Sequence, residues 1–515
     1  MERLIRDTGL EMPRTPWTTA DRLWGLVLGV VAVLSAAFTM RAYSPGGYHS
    51  DGLFQLAQAL GEEPWNDWHP IVMSVLWKVL IDSTGSIASL MYLQVALTWL
   101  ASVGLGLLVY DVTRRRPLSL VTTVIPLLPW VANVLGMLWK DVHMMTALFL
   151  CVVLVLWAAR IGGAAAGTGR ARMRSVLVWV LLGLAALALV YGVLVRKNAV
   201  FAALPLLWLM LTVAVPQMSG VPRLGGLLRS WKRAAVALVA GMLLLVLGVQ
   251  LAGKLVDASV GGAERTGQIT QVMLDDVLFT ITADEIDALD IPAELKQKFH
   301  ASQAVCPPDG GPEGDGHLTD AYWRCYGMGE NGGYTRLAYD EEIRALWFDW
   351  VPSHLGRYVE YRFTTFVRFL FATDYKIQIV NKENEYGLDR DHPQAHVAMT
   401  DYTNRFVEDL PWTFDAWLWT ALLGTALYLG VRRTRLFSRS VIVLTTSGLF
   451  YILGYIPLVP ANNYRYIYWP VVACLAAWAL LGAERALRAR PVPAPEPQSA
   501  PTAARSAGRH ESEEE

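Results

Sequence analysis

Apolar and polar residues along this chain fall into long blocks rather than into short alternations. Runs of about 18 or more apolar residues match the length a helix needs to cross a hydrocarbon core of about 30 Å at about 1.5 Å rise per residue. Candidate spans cover roughly 23–40, 86–110, 118–138, 143–159, 176–195, 198–215, 234–253, 413–431, 440–459 and 466–483, about ten in all. The first run, Leu23 to Met40, is long for a signal-peptide core and has no clear cleavage site, so it reads as a retained anchor. The segment Ile71–Ile81 is apolar apart from Ser74 and Lys78 but only eleven residues long. It reaches about half of the core, so it is expected to lie along the membrane surface or dip into it.

Loop charge orients these spans. Arg114–Arg116, Arg170–Arg174, Arg223–Arg233, Arg432–Arg439 and Arg485–Arg490 all fall on one side of a ten-span chain, as do Arg3, Arg6, Arg14 and Arg22. The positive-inside rule makes that side cytoplasmic and puts both termini there. Counting Ile71–Ile81 as a span would reverse every later loop. The expected organisation is a cytoplasmic N-terminus (1–22), a membrane part (23–253) with a first outer loop at 41–85, an outer domain (254–412), further membrane helices (413–483) and a cytoplasmic tail (484–515). The tail, rich in Pro, Ala and Glu, cannot bury a core and is expected to be disordered. The fold class expected is an all-α polytopic membrane protein of about ten helices, with a helical or mixed outer domain.

Composition adds little beyond this. The 515 residues are 54% hydrophobic with a net charge of −1, and no basic aromatic stripe suggests nucleic acid. The Ala, Leu, Gly and Arg usage suits a GC-rich bacterial genome. Of four cysteines, Cys151 and Cys474 fall within spans, where they are apolar packing groups. Cys306 and Cys325 flank a Gly/Pro/Asp-rich loop in the outer domain, where a disulfide is the natural reading. Asp309, Glu313 and Asp315 in that loop lack EF-hand spacing, which argues against calcium.

Chemistry gathers beside the first span, in "GYHSDGLFQLAQALGEEPWNDWHP" (Gly47 to Pro70). Leu53, Leu56, Ala57 and Leu60 share one helical face, and Asp51, Gln55, Gln58 and Glu62 another, predicting an amphipathic helix at the outer interface. Asp51 reads either as a helix cap or, with Ser50 capping instead, as a free carboxylate. A second surface helix is predicted from Pro70 on, with Trp65 and Trp68 anchoring the connection at headgroup depth. The lone Asp67-x-His69 pair is weak as a metal site. Other outer turns hold Lys140, Asp141 and His143, then Arg196, Lys197 and Asn198, and finally Asn462 to Tyr466 with Arg465. Polar turns and snorkelling account for such residues. The sign rule, however, should deplete the outer side of cations, so their retention beside carboxylates points to an anionic ligand.

These features together resemble integral membrane glycosyltransferases of the GT-C type, the superfamily that includes protein mannosyltransferases and oligosaccharyltransferases. The resemblance rests on Asp51 in "YHSDGLFQLAQAL", soon after span one, on "DWHPIVMSVLWKVL" as a second surface helix, and on "WKD", ending in Asp141, as a second acidic site. It covers most of the membrane portion; the outer domain matches nothing in the family. It implies transfer, with inversion, of a sugar from a polyprenyl-phosphate donor to an extracytoplasmic acceptor in the cell envelope. It makes Asp51 the catalytic base and Asp141, Asp67 and His69 a second acidic or acceptor site. Arg196, Lys197, Arg465 and Lys140 become donor-phosphate contacts, by charge-assisted bonding. No metal ligand is assigned, and a divalent metal, Mg or Mn, is left open. The competing readings are a polysaccharide polymerase or ligase, and a flippase or transporter. The latter should carry mid-membrane charges on two related halves.

Overall fold

The computed structural model describes residues 7–12, 15–163, 171–217, 231–308, 321–327, 339–371, 386–459 and 461–489. Among these the structure is helical, with two isolated bridges, Gly47–Met137 and Asn66–Glu264, and no strand. Six helices are long and apolar enough to cross a membrane, and Ala199–Val215 and Ser438–Leu453 are shorter apolar helices. The chain is an all-α, multi-pass membrane protein. Arg3, Arg6, Arg14, Arg170, Arg223 and Arg229, the loop with Asp309, Glu313 and Asp315, and the tail from 490 on lie outside the described residues.

Helix α1 (Thr19–Tyr43) opens on a capping box between Thr18 and Asp21. After it come α2 (Ser50–Leu60), α3 (Ile71–Thr84), α4 (Ser89–Thr113), α5 (Lys140–Gly162), α6 (Ala171–Val195), α7 (Ala199–Gln217) and α8 (Trp231–Ser259). Helices α4 and α5 are mostly buried, whereas α1 and α8 turn Leu23, Leu26, Val30, Leu243, Leu244 and Leu247 outward, as lipid-facing helices do. At 14 residues, α3 is about 21 Å long, too short to cross the core.

The continuous helix expected over 118–138 is broken. It runs as Arg116–Thr123, a 3-10 turn at Ile125–Leu127, and Pro129–Leu135. Pro126 and Pro129 supply no N–H to a helical ladder. Side chains of α4 answer carbonyls along it: Ser102 donates to Thr122 O and Thr123 O at the break, and Gln94 to Leu135 O and Met137 O where the last piece ends. The broken segment therefore still runs the length of α4, antiparallel to it.

Arg114, Arg160 and the loop holding Arg435 gather at one end. Arg160 bonds Asp111 at 2.8 Å and donates to Leu10 O and Met12 O, and Arg114 donates to Thr15 O. Glu484 accepts the backbone N–H groups of Arg435, Leu436 and Phe437. Gly9 N–H also donates to Leu436 O, so the N-terminal residues meet α4, α5 and the loop after Ala416–Arg432.

In the insertion, α8 continues past the expected boundary at Lys254 to Ser259, stopping before Gly261 and Gly262, whose φ of 79° and 94° suit glycine. Helices α9 (Ile269–Leu278), α10 (Ala293–Val305), α11 (Asp340–Ser353) and α12 (Leu355–Phe371) follow. Leu274, Val277, Phe299, Ile343 and Trp350 form a core separate from that of the membrane helices. Cys306 and Cys325 are bonded there, with Cα atoms 5.5 Å apart. Helix α13 (Pro393–Asp409) instead packs on α1 and Pro129–Leu135. The chain ends its described part with α14 (Ala416–Arg432), α15 (Ser438–Leu453) and α16 (Tyr468–Arg488).

Candidate functional site

Two glycines bring the loop after α1 to the start of α5. Gly47 N–H donates to Gly136 O at 2.8 Å, and Leu138 N–H donates back to Gly47 O at 3.0 Å. A Cβ on Gly136 would lie 2.0 Å from the Tyr43 ring, and one on Gly47 would lie 2.2 Å from Met137 Sδ. Only glycine allows this approach, which sets α2 beside Lys140 and Asp141. Arg390 braces the loop by donating to Tyr43 O and Gly46 O.

Asp51 stands in the first turn of α2, yet neither it nor Ser50 caps the helix. His49 is the N-cap residue, no side chain caps the helix, and Ser50 Oγ bonds the His49 ring. The Asp51 carboxylate instead accepts a bond of 3.0 Å from Arg465, 414 positions away, and lies 3.9 Å from His49. The predicted polar face of α2 is not turned to water. Gln58 donates to Pro64 O and Asn66 O and accepts from Ser74, and Gln55 reaches Pro70 O. The irregular 61–70 connection needs donors for its carbonyls, and the amides of α2 supply them.

Arg465 is held by its surroundings. Asn463 accepts the Arg465 N–H at 3.1 Å. The guanidinium lies 5.0 Å from the Trp139 ring and 5.3 Å from that of Tyr466. Its Nε is 3.9 Å from Asp141. Arg196 approaches Asp141 from the other side at 3.2 Å, donates to the Tyr455 hydroxyl at 3.1 Å, and stacks 5.0 Å from the same Tyr466 ring. Asp141 is fully buried and neither oxygen makes a hydrogen bond, so it is answered by charge alone.

Burial alone would push the Asp51 carboxyl upward, but Arg465, with His69, Lys140 and His49, outweighs it and holds the group far below the usual carboxylate range. Asp67 is also held low: burial raises it, and the Thr266 N–H and O–H, each at 2.7 Å, then Lys197 and Arg265, lower it further. Those bonds tie the connection between α2 and α3 to the start of the insertion, together with Glu264 N–H to Trp65 O. His69 packs against Phe54, with ring centres 5.6 Å apart.

These groups open on one cavity of about 1220 Å³. Asp51, Lys140, Arg196, Lys197 and Arg465 line it, as do Asp67 and His69. Six Lys or Arg side chains face it against three aspartates. Apolar side chains also line it: Val193 and Leu194 at the end of α6, and Val249 and Val256 on the lipid-facing α8, which adds Gln250, Lys254 and Asp257 as well. The arrangement suits a ligand with an anionic head and a greasy tail. It does not fit a divalent metal: Arg465 already occupies the space between Asp51 and Asp141, and among the described residues no group of three or more His, Cys, Asp or Glu side chains could hold an ion.

No family model matches this chain, and no curated protein matches it. Among solved structures, the archaeal oligosaccharyltransferase AglB from Archaeoglobus fulgidus, in complex with an inhibitory peptide and a dolichol-phosphate, is similar at 12% identity with a TM-score of 0.36. The match covers 90% of this chain and 51% of that one, so the chain spans about half of its length. A likeness this loose carries no functional argument.

Several residues at the site had no mark in the sequence. Tyr455 lies in an apolar run, and Trp139 and His49 beside more obvious charges. Trp68, expected at headgroup depth, faces the cavity opposite a residue of the insertion, Tyr322, with ring centres 5.9 Å apart. The nearness of Tyr322 to Cys325 was its one legible feature.

Proposed function

We propose that this protein is a membrane glycosyltransferase of GT-C type, moving a sugar from a polyprenyl-phosphate donor to an extracytoplasmic acceptor. The observation that carries this reading is the pairing of Asp51 with Arg465 at the edge of a cation-rich cavity that a lipid-facing helix also lines. A phosphate head would be drawn to Arg465, Arg196 and Lys140, while the isoprenoid tail lies along Val249 and Val256. The acceptor oxygen attacks the anomeric carbon as the bond from that carbon to the phosphate oxygen breaks, with inversion. Asp51 takes the acceptor proton, and the cations stabilise the charge left on the polyprenyl phosphate. Arg suits this role because its planar fork matches phosphate oxygens. Asp141 orients Arg196 and Arg465 between the two. Asp67 and His69 shape the acceptor side. On this reading the arginine-rich end is cytoplasmic, the cavity is extracytoplasmic and both termini are inside.

The test is transfer by the purified full-length protein from a defined polyprenyl-phosphate sugar, with mass spectrometry of copurifying lipids. Retention of the lipid with movement across the bilayer but no transfer would instead make it a flippase. No retention of a polyprenyl phosphate would sink the proposal.

A further inference from the structure

One part of the cavity wall is aromatic, and it is built by two distant parts of the chain. Trp68 comes from the connection between α2 and α3 and Tyr322 from the insertion; both are half-buried and both line the cavity. Each is held from behind. The Trp68 carbonyl accepts from Gln268 at 3.2 Å, and Gln268 in turn accepts from Lys197 at 3.4 Å, which links the ring's backbone to the cation cluster. Tyr322 packs edge-on against the buried Tyr326, with ring centres 5.8 Å apart, and Tyr326 donates to Asp275 at 2.6 Å. Gly327 lets the turn close: a Cβ there would fall 2.8 Å from the Tyr322 ring. The same short helix, Tyr322–Tyr326, carries Cys325, bonded to Cys306 at the end of α10.

An aromatic face beside a phosphate-suited cluster matches the chemistry of a glycosyl phosphate. A sugar ring presents one face of C–H groups that packs on an aromatic plane, while its hydroxyls seek polar neighbours. Gln268, Gln271 and Asp67 supply such neighbours at the same cavity. We propose that Trp68 and Tyr322 form the sugar-recognition wall of this site, and that the Cys306–Cys325 disulfide holds that wall in place. This rests on the glycosyltransferase reading above and adds to it the part of the cavity that reads the sugar. The ring recognised belongs either to the donor or to a glycan acceptor, and the two are separable by experiment.

The experiment compares equilibrium binding of a sugar-free phosphodiester of the same charge, polyprenyl methyl phosphate, with that of polyprenyl-phosphate mannose and polyprenyl-phosphate glucose to the purified full-length protein without acceptor. One sugar-bearing lipid is expected to bind more tightly than the sugar-free one. Tyr322→Leu and Trp68→Leu should each remove roughly 3- to 10-fold of that preference. Tyr322→Phe, which keeps the ring, should retain it, and the sugar-free lipid should bind all variants alike. Reduction with dithiothreitol should lower the preference of the wild-type protein and leave Tyr322→Leu unchanged. If sugar adds nothing to lipid binding, but Tyr322→Leu raises KM for a glycan acceptor and Tyr322→Phe does not, the ring recognised is the acceptor's. Loss with Tyr322→Phe as large as with Tyr322→Leu, or no effect of either on lipid preference or acceptor KM, overturns the sugar wall. Unchanged preference after complete reduction overturns the role of the disulfide. Failure to retain even the sugar-free lipid removes the glycosyltransferase reading itself, a result distinct from all of these.

Discussion

Replacing Asp51 by Asn separates the roles the pair with Arg465 could have. Asn keeps the size of the side chain and an oxygen for Arg465, so the bond at 3.0 Å can persist without its negative charge. Exchanging a charge-assisted bond for a neutral one costs about 1 kcal/mol of stability. The figure stays modest because Asp51 is 18% and Arg465 15% exposed, so water still reaches both. Turnover should change far more. An amide cannot take the acceptor proton, and loss of a general base slows transfer roughly 10²- to 10⁴-fold, or about 2.7–5.4 kcal/mol of barrier. Binding of polyprenyl phosphate should move the other way. A carboxylate within about 5 Å of a phosphate repels it by about 3 kcal/mol at an effective dielectric of about 20, and Asp51 also occupies the cation that the phosphate needs. Asp51→Asn should therefore tighten polyprenyl-phosphate binding by about tenfold, near 1.4 kcal/mol. The assays are transfer from a defined lipid-phosphate sugar and, separately, lipid binding by the same preparation. Near-normal turnover would remove Asp51 from the chemistry. Weakened phosphate binding would show that Asp51 and phosphate do not compete for Arg465.

The remaining predictions follow from the same contacts. Burial raises the Asp51 carboxyl and Arg465 is the first of the groups that lower it. In the wild-type protein the acid limb of kcat/KM set by Asp51 should thus lie below the usual carboxylate range; Arg465→Gln removes the foremost lowering group, and that limb should move upward, whereas an unmoved limb would uncouple the two. Arg362, buried in the insertion, bonds Asp276 at 2.5 Å and donates to Val272 O and Val459 O. Arg362→Met strands a buried carboxylate and should destabilise the protein by about 3–5 kcal/mol in thermal unfolding, while Arg362→Met with Asp276→Asn should recover much of this; no recovery would place the loss in the two carbonyl contacts. For orientation, single cysteines replacing the exposed Ser353 and Arg433 should label oppositely with an impermeant thiol reagent in intact cells, the first reacting and the second not; the reverse pattern would invert the chain.

Long membrane helices were readable because lipid demands long apolar runs, although of about ten expected spans six are long and apolar enough among the described residues; the shortness of 71–81 was readable for the same reason. Lys140, Arg196, Lys197 and Arg465 could be picked out because a sign rule disfavours them in the orientation proposed above, and they line one cavity. What the chain could not announce was which of them meets Asp51. Pairing across 414 positions depends on the close approach of Gly47 to Gly136, a steric matter with no periodic trace. The polar face of α2 misled for a physical reason. Its spacing is that of a helix facing water, but it solvates the carbonyls of an irregular loop just as water would. The break in 118–138 could be read from Pro126 and Pro129, but not the way Gln94 and Ser102 make it tolerable inside the membrane part.

The balance of charge suggests an order of events for the proposed reaction. Arg196, Arg465 and Lys140 held together with nothing negative among them would repel one another in a partly dry pocket. Asp51 and Asp141 relieve that repulsion in the resting protein. Asp141, fully buried and reached from two sides by guanidinium groups, is placed to keep that duty throughout. Asp51 is at the cavity edge and can give it up. While it is bound to Arg465 it is a poor base, since the same interaction that stabilises its charge opposes its taking a proton. An incoming donor phosphodiester offers one charge and two free oxygens, as a carboxylate does, and it competes with Asp51 for Arg465 because Arg196 and Lys140 attract it as well. As Arg465 turns to the phosphate, Asp51 loses its strongest stabilising partner and its affinity for a proton rises. Base strength then appears only when a donor is in place, and one arginine links donor binding to acceptor activation without a separate moving part.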